Sequence, residues 1–158
     1  HLHIFKKRTD IRGIMHAHPP LAIGMSFSKR GAELMKKAIF PDAATQLGPV
    51  FTIPYVKPNC DELGYSFDPY IMRSNGFIMG NHGCLVLGPG GVKETVEYVN
   101  IMEGVAKSIM AMTAMGEDVR ELSDKELDGL DDLLKKRGAI MPGAKGAFKG
   151  MRDLFANI

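Results

Sequence analysis

Two short motifs concentrate the residues of this sequence that can bind a metal. His16-Ala17-His18 sets two imidazoles two positions apart, and Asn81-His82-Gly83 places a third beside a glycine. On a strand, residues i and i+2 project from the same face, so His16 and His18 point together while Ala17 points away. Two neutral imidazoles held side by side suit zinc or another borderline divalent ion. Taken alone, each motif also fits ordinary surface or core histidines. The two together are the stronger sign.

Those histidines need elements to carry them. Residues 11–16 read as a strand that Pro19-Pro20 stops. The apolar runs 77–81 and 84–88 read as neighbouring strands, with a sharp backbone change at or near His82-Gly83. His82 then sits at a strand end, where a turn can aim it at the end of an adjacent strand.

Residues 1–8 read as the end of a helix, and 21–37 as helical but broken near Gly31. The β-branched and aromatic stretch 49–56 reads as a strand closed by Pro58, and 61–70 as a short helix entered through Asn59. A glycine-rich turn then leads into a long helix, about 91–115, with Val92, Val96, Val99, Met102, Val105, Ile109 and Met112 at helical spacing. Ser123 and Glu126 form a capping box for a last amphipathic helix, with Leu127, Leu130, Leu133 and Leu134 inward and Gly138 closing it. Residues 139–158 are rich in Gly and Lys without a clear period, which predicts a mobile arm.

The whole chain has 158 residues, 45% hydrophobic and 24% charged, enough for one domain with its own core. A formal charge of +2 is too even for nucleic acid to be the main partner. Cys60 and Cys84 lack CxxC spacing and read as free thiols of a reducing, cytoplasmic compartment. No apolar stretch reaches the roughly 18–20 residues of a membrane span, so no membrane partner is expected.

The segments IRGIMHAHPP, IPYVKPNCDEL and FIMGNHGCLVLG, followed by a long helix, resemble the class II aldolase/adducin family. Its sugar-phosphate members include fuculose-phosphate aldolases and ribulose-phosphate epimerases. The resemblance implies an α/β fold, with one central mixed, largely antiparallel sheet flanked by helices on both faces. It implies that His16, His18 and His82 bind a catalytic divalent metal, usually zinc, with Mn2+, Co2+ or Fe2+ as alternatives. The family's fourth ligand, a Glu that also moves protons, falls a few residues before His1, behind Gly/Ser-rich phosphate-binding loops. Residues 1–138 are therefore read as the family domain lacking its N-terminal part, and 139–158 as a C-terminal tail.

By the same resemblance, the expected activity is that of a divalent-metal-dependent lyase. It cleaves a small phosphorylated ketose by aldol chemistry through a metal-stabilised enediolate. Epimerase, dehydratase or decarboxylase chemistry on the same frame is the alternative, as is a non-catalytic adducin-like assembly module. Adducin-type domains lose the metal histidines, and their presence here favours the enzyme. The family also implies a homo-oligomer, a tetramer with sites between subunits.

Asp42 lies where some relatives place an acid/base group from a neighbouring subunit, although such an Asp also serves as a helix cap. The tyrosines that aldolases carry in that region and in the tail are absent, with Phe40, Phe148 and Phe155 as the nearby aromatics. His1 and His3 read as surface residues or supports of the site. Lys145, Lys149 and Arg152 could reach a phosphate or form a solvated arm. Gly88, Gly90 and Gly91 lack the GK[ST] ending of a phosphate loop and read as turn residues.

Overall fold

The two apolar runs do form neighbouring strands, and the sheet grows around them. The computed structural model describes residues 1–156 and 158. In chain order its elements are α1 Leu2–Lys7, β1 Gly13–Ala17, α2 Pro20–Met25, α3 Lys29–Met35, α4 Pro41–Gln46, β2 Phe51–Ile53, α5 Asp61–Tyr65, β3 Gly76–Met79, β4 Gly83–Gly88, α6 Val92–Ala114, α7 Asp124–Arg137 and α8 Met151–Phe155. The strands form a four-stranded sheet in the order β1-β4-β3-β2. The β1/β4 and β3/β4 pairs are antiparallel, and β2/β3 is parallel. This is the mixed, largely antiparallel sheet that the family resemblance implies.

Both faces of the sheet are covered, which is why β3 and β4 are apolar at consecutive positions rather than alternate ones. Phe77, Met79, Leu85 and Leu87 pack with Ile4, Phe67 and Ile71 on one side. Ile78, Cys84 and Val86 pack with Ala22, Met25, Met102, Val105 and Ile109 on the other. The first group belongs to the side of α1 and α5, the second to the side of α2 and α6.

Several expectations are corrected. The helical stretch 21–37 divides at Ser26–Ser28 instead of near Gly31. Ser28 caps α3 by accepting the Gly31 N–H at 2.9 Å. Gly31 lies within α3 and must be glycine, because a Cβ there would meet the Met25 carbonyl oxygen at 2.3 Å. The short helix α5 starts at Asp61 as read but ends at Tyr65, well short of 70, and its N-cap is Cys60, with Asn59 at a positive φ of 62° just before it. In α6, Val92 and Val96 are exposed, whereas Thr95 and Tyr98 are buried. The helix meets the core along a different stripe in its first turns.

The tail is docked and is not a mobile arm; Asn157 lies outside the described residues. Met151 and Leu154 are fully buried against Leu127 and Ala44. The Asp131 carboxylate accepts the Met151 N–H at 2.9 Å. Arg152 pairs with Asp128 at 2.8 Å. The apolar residues of this segment show no single period because the chain turns at Gly143 and Gly146, whose φ values are 84° and 78°.

Arg8, which sequence reasoning missed, ties this segment to the rest. It is fully buried, and its guanidinium holds Asp10 through two contacts of 2.8 Å. It also donates to the carbonyls of Ile71 at 2.8 Å, Ser74 at 3.0 Å and Gly143 at 2.8 Å, and to Asn75 Oδ1 at 2.9 Å. The flat, multiply donating guanidinium is what allows one side chain to join so many acceptors.

Candidate metal centre

The register of β1 against β4 sets the first two imidazoles. His16 lies opposite Leu85 and Ala17 opposite Cys84. At this sheet end β4 begins directly after the turn that carries His82, so β1's last residues lie beside that turn. His16 Nδ1 is 2.8 Å from the Cys84 carbonyl oxygen. A carbonyl only accepts, so Nδ1 carries the proton and Nε2 presents its lone pair.

The three rings converge. His16 Nε2 and His18 Nε2 are 3.0 Å apart. The ring centroids of His16 and His82 lie 4.9 Å apart, and those of His18 and His82 5.5 Å. Each imidazole offers a nitrogen, and these three nitrogens all fall within 4.8 Å of one another. Burial, and then the neighbouring imidazoles of His16 and His18, hold His82 below its ordinary value, so its neutral, ligating form persists to lower pH.

The backbone around the third ligand is specialised. Asn81 has φ of 56°, a left-handed conformation that Asn tolerates better than most residues. Gly83 permits the close approach of the strands: a Cβ there would meet His18 Cδ2 at 2.5 Å, and both the Ala17 oxygen and His16 Cε1 at 2.7 Å. The NHG motif therefore has a reason at each position. Asn makes the turn, His enters the cluster, and Gly leaves room for its partners.

The donor set fits a divalent ion. Ligands about 2.0–2.1 Å from a tetrahedral zinc stand about 3.3–3.4 Å from one another; His16 Nε2 and His18 Nε2 are 3.0 Å apart, and all three nitrogens lie within 4.8 Å. His82 Nδ1 is buried without a hydrogen-bond partner among the described residues. A nearby cavity of about 710 Å³ is lined by His16 and His82, together with His1, His3, Cys60 and Asp61.

The other candidates are placed differently. Asp42 stands in the first turn of α4 and lines a separate cavity with Arg12 and Lys145. Within one chain it does not join the triad. His3 is engaged by Asp68 at 2.6 Å and meets the Tyr65 ring edge-on. Arg152 is taken up by Asp128, and Phe148 and Phe155 pack against the cluster around Leu127. Asp61 is a carboxylate on the wall of the histidine cavity that sequence reasoning passed over. Its place at the start of a helix gave no chemical signal.

The profile of the Class II Aldolase and Adducin N-terminal domain matches residues 1–110. The chain belongs to this family. It is 24% identical over 131 residues to the 3-oxo-tetronate 4-phosphate decarboxylase of Pectobacterium atrosepticum, a match covering 78% of this chain and 59% of that protein. The fold superposes on YgbL of Escherichia coli with a TM-score of 0.71 at 20% identity, covering 82% of this chain and 62% of that one. It superposes on an L-fuculose 1-phosphate aldolase with a TM-score of 0.69 at 22% identity, covering 83% of this chain and 59% of that one. The chain thus spans about three-fifths of the length of these relatives. Among the described residues, no helix is long and apolar enough to cross a membrane.

Proposed function

We propose that His16, His18 and His82 hold a divalent metal ion, zinc in the first instance, in an enzyme acting on a small phosphorylated sugar. The leading reaction is lyase cleavage of a carbon–carbon bond by aldol chemistry. The observation that carries this reading is the convergence of three imidazole nitrogens within 4.8 Å. Similarity to an L-fuculose 1-phosphate aldolase supports the substrate class.

A bound ion supplies Lewis-acid stabilisation of the charge that develops on a substrate oxygen as the bond breaks. The chain's own residues prepare that site. The Cys84 carbonyl keeps His16 in the tautomer whose Nε2 is free to ligate. Gly83 lets the three rings approach. Neutral ligands leave the ion's full charge for the substrate. Asp42 enters this reading as a proton-transfer group lent to a neighbouring copy in a homo-oligomer, a tetramer by family resemblance. Cys60 and Cys84 are both free thiols, which supports a cytoplasmic setting.

A second reading, decarboxylation, is favoured by the similarity to 3-oxo-tetronate 4-phosphate decarboxylase. Both reactions break a carbon–carbon bond and place an electron pair beside a carbonyl. Product analysis separates them: aldol cleavage releases an aldehyde and a ketose-phosphate fragment, whereas decarboxylation releases carbon dioxide. The test of the shared reading is metal analysis of protein purified without chelator, followed by zinc addition and the same measurement on His16→Ala. The expected result is about one equivalent per chain, lost in the variant. Absence of bound metal together with no zinc uptake would sink the metal-enzyme reading.

A further inference from the structure

The short helix α2 lies between the two ligand-bearing segments and is tied to distant parts of the chain at both ends. It starts directly after His18 and Pro19. Its N-cap is Pro19, which offers no side-chain acceptor, so its first free N–H groups need partners from elsewhere. Glu103, from the middle of α6, supplies both. Its carboxylate accepts the Leu21 N–H at 3.0 Å and the Ala22 N–H at 2.8 Å. A carboxylate in this position also meets the positive end of the helix.

The far end of α2 is tied to the turn of the third ligand. Ser26 donates its hydroxyl to the Ile23 carbonyl at 2.7 Å and accepts the Asn81 N–H at 3.1 Å. The neighbouring N–H groups of that turn find backbone partners, Gly80 on Ile53 and His82 on Met79. Asn81 is the residue whose N–H depends on a side chain. It is also the residue in the left-handed conformation, immediately before His82.

We propose that Ser26 and Glu103 are positioning residues for the imidazole triad, acting through α2, which braces the His16–His18 segment against the Asn81–His82 turn. Neither residue touches the ion. Ser26 holds the backbone that aims His82, and Glu103 fixes the start of the helix that follows His18. Ala22 and Met25 bury the inner face of α2 in the core, so the brace is seated on a rigid support. The inference rests on the triad being a metal centre.

The test is zinc titration of the full chain against a chromophoric chelator, with the Co2+ absorption spectrum and the melting temperature of the metal-free protein measured in parallel. Ser26→Ala and Glu103→Gln are expected to weaken zinc binding about 10–100-fold and to change the Co2+ spectrum. Ser26→Thr, which keeps the hydroxyl, should retain both wild-type properties. Leu130→Ala, in the separate cluster around α7 and α8, should lower the melting temperature and leave zinc affinity unchanged. Wild-type zinc affinity in Ser26→Ala and Glu103→Gln would overturn the proposal, as would an equal loss of affinity in Leu130→Ala. If Ser26→Ala fails to fold, Glu103→Gln decides alone, because it keeps side-chain size while surrendering one of the two acceptors. A wild-type chain that binds no zinc would remove the metal centre itself, which is a different failure.

Discussion

His16 donates its Nδ1 proton to the carbonyl oxygen of Cys84 at 2.8 Å, diagonally across the β1–β4 pair, since Cys84 stands opposite Ala17. One backbone acceptor thereby selects the tautomer of a side chain on the neighbouring strand. The lone pair of His16 Nε2 is left facing His18 and the ring of His82 lies close by. In the metal-free protein at mildly alkaline pH, 15N-resolved NMR of the imidazoles should show His16 as the Nδ1–H tautomer. The opposite tautomer would break the geometric basis of the site.

Gly83→Ala should damage fold and site together. The new Cβ meets the Ala17 backbone oxygen at 2.7 Å, and backbone within a paired strand cannot step aside. Overpacking of this kind costs about 1–3 kcal/mol. Urea unfolding should show that loss, and zinc titration should show weakened binding beyond it, because the same Cβ also crowds His16 and His18.

Arg8→Ala should be among the most damaging single changes, at about 3–5 kcal/mol, because it strands Asp10 and several buried carbonyls. Arg8→Lys should recover little, since an ammonium cannot reproduce the two parallel contacts to Asp10. Burial alone would raise the Asp10 carboxyl, but the hydrogen bond and charge of Arg8 outweigh it and hold Asp10 below the ordinary range. The sign follows: this pair stabilises the fold above the ordinary Asp range of about 4 and loses that contribution as pH falls through the lower, folded value. Chemical denaturation across acid pH should therefore show a slope that Asp10→Asn flattens.

The two thiols should differ in reactivity. Burial pushes the Cys84 thiol up to about 11, and the residue is fully enclosed in the core. Cys60 is only half-buried. A thiol reagent at neutral pH should titrate Cys60 in the native protein and reach Cys84 only after denaturation. Rapid native modification at Cys84 would contradict the packing of β4.

Asp42 offers a test by subunit mixing. Asp42→Ala and His16→Ala chains should each be inactive. Co-refolding them should restore part of the activity if Asp42 serves a neighbouring copy's site, because some mixed sites receive both intact groups. Full activity in Asp42→Ala would remove this residue from the mechanism. Light scattering on the same preparations should show an oligomer.

Much of this fold was readable because its signals are local. The alternation of β1 placed His16 and His18 on one face, the capping box at Ser123 opened α7, and Gly138 closed it with φ of 60°. The helix α4 was not read, because Asp42 was weighed only as a proton-transfer group or a cap, although Pro41 and Asp42 stand in its first turn. The tail was harder. Its burial depends on glycine turns that redirect the chain onto α7, and no window of sequence contains the surface it covers. The exposed Val92 and Val96 mislead for a related reason: spacing identifies a helix, but the elements around it choose which stripe is buried.

What the sequence determined by itself was the choice of ligand types and the local geometry that presents them: two imidazoles on one strand face, and a third between Asn and Gly. Tertiary structure decided that these pieces form one centre. The antiparallel register set Ala17 opposite Cys84, Gly83 allowed the strands and rings to meet, and Glu103 and Ser26 seated α2 between the two motifs. Those relationships join residues far apart in the chain. Strand pairing and packing fix them, and neither is encoded in the spacing of a motif.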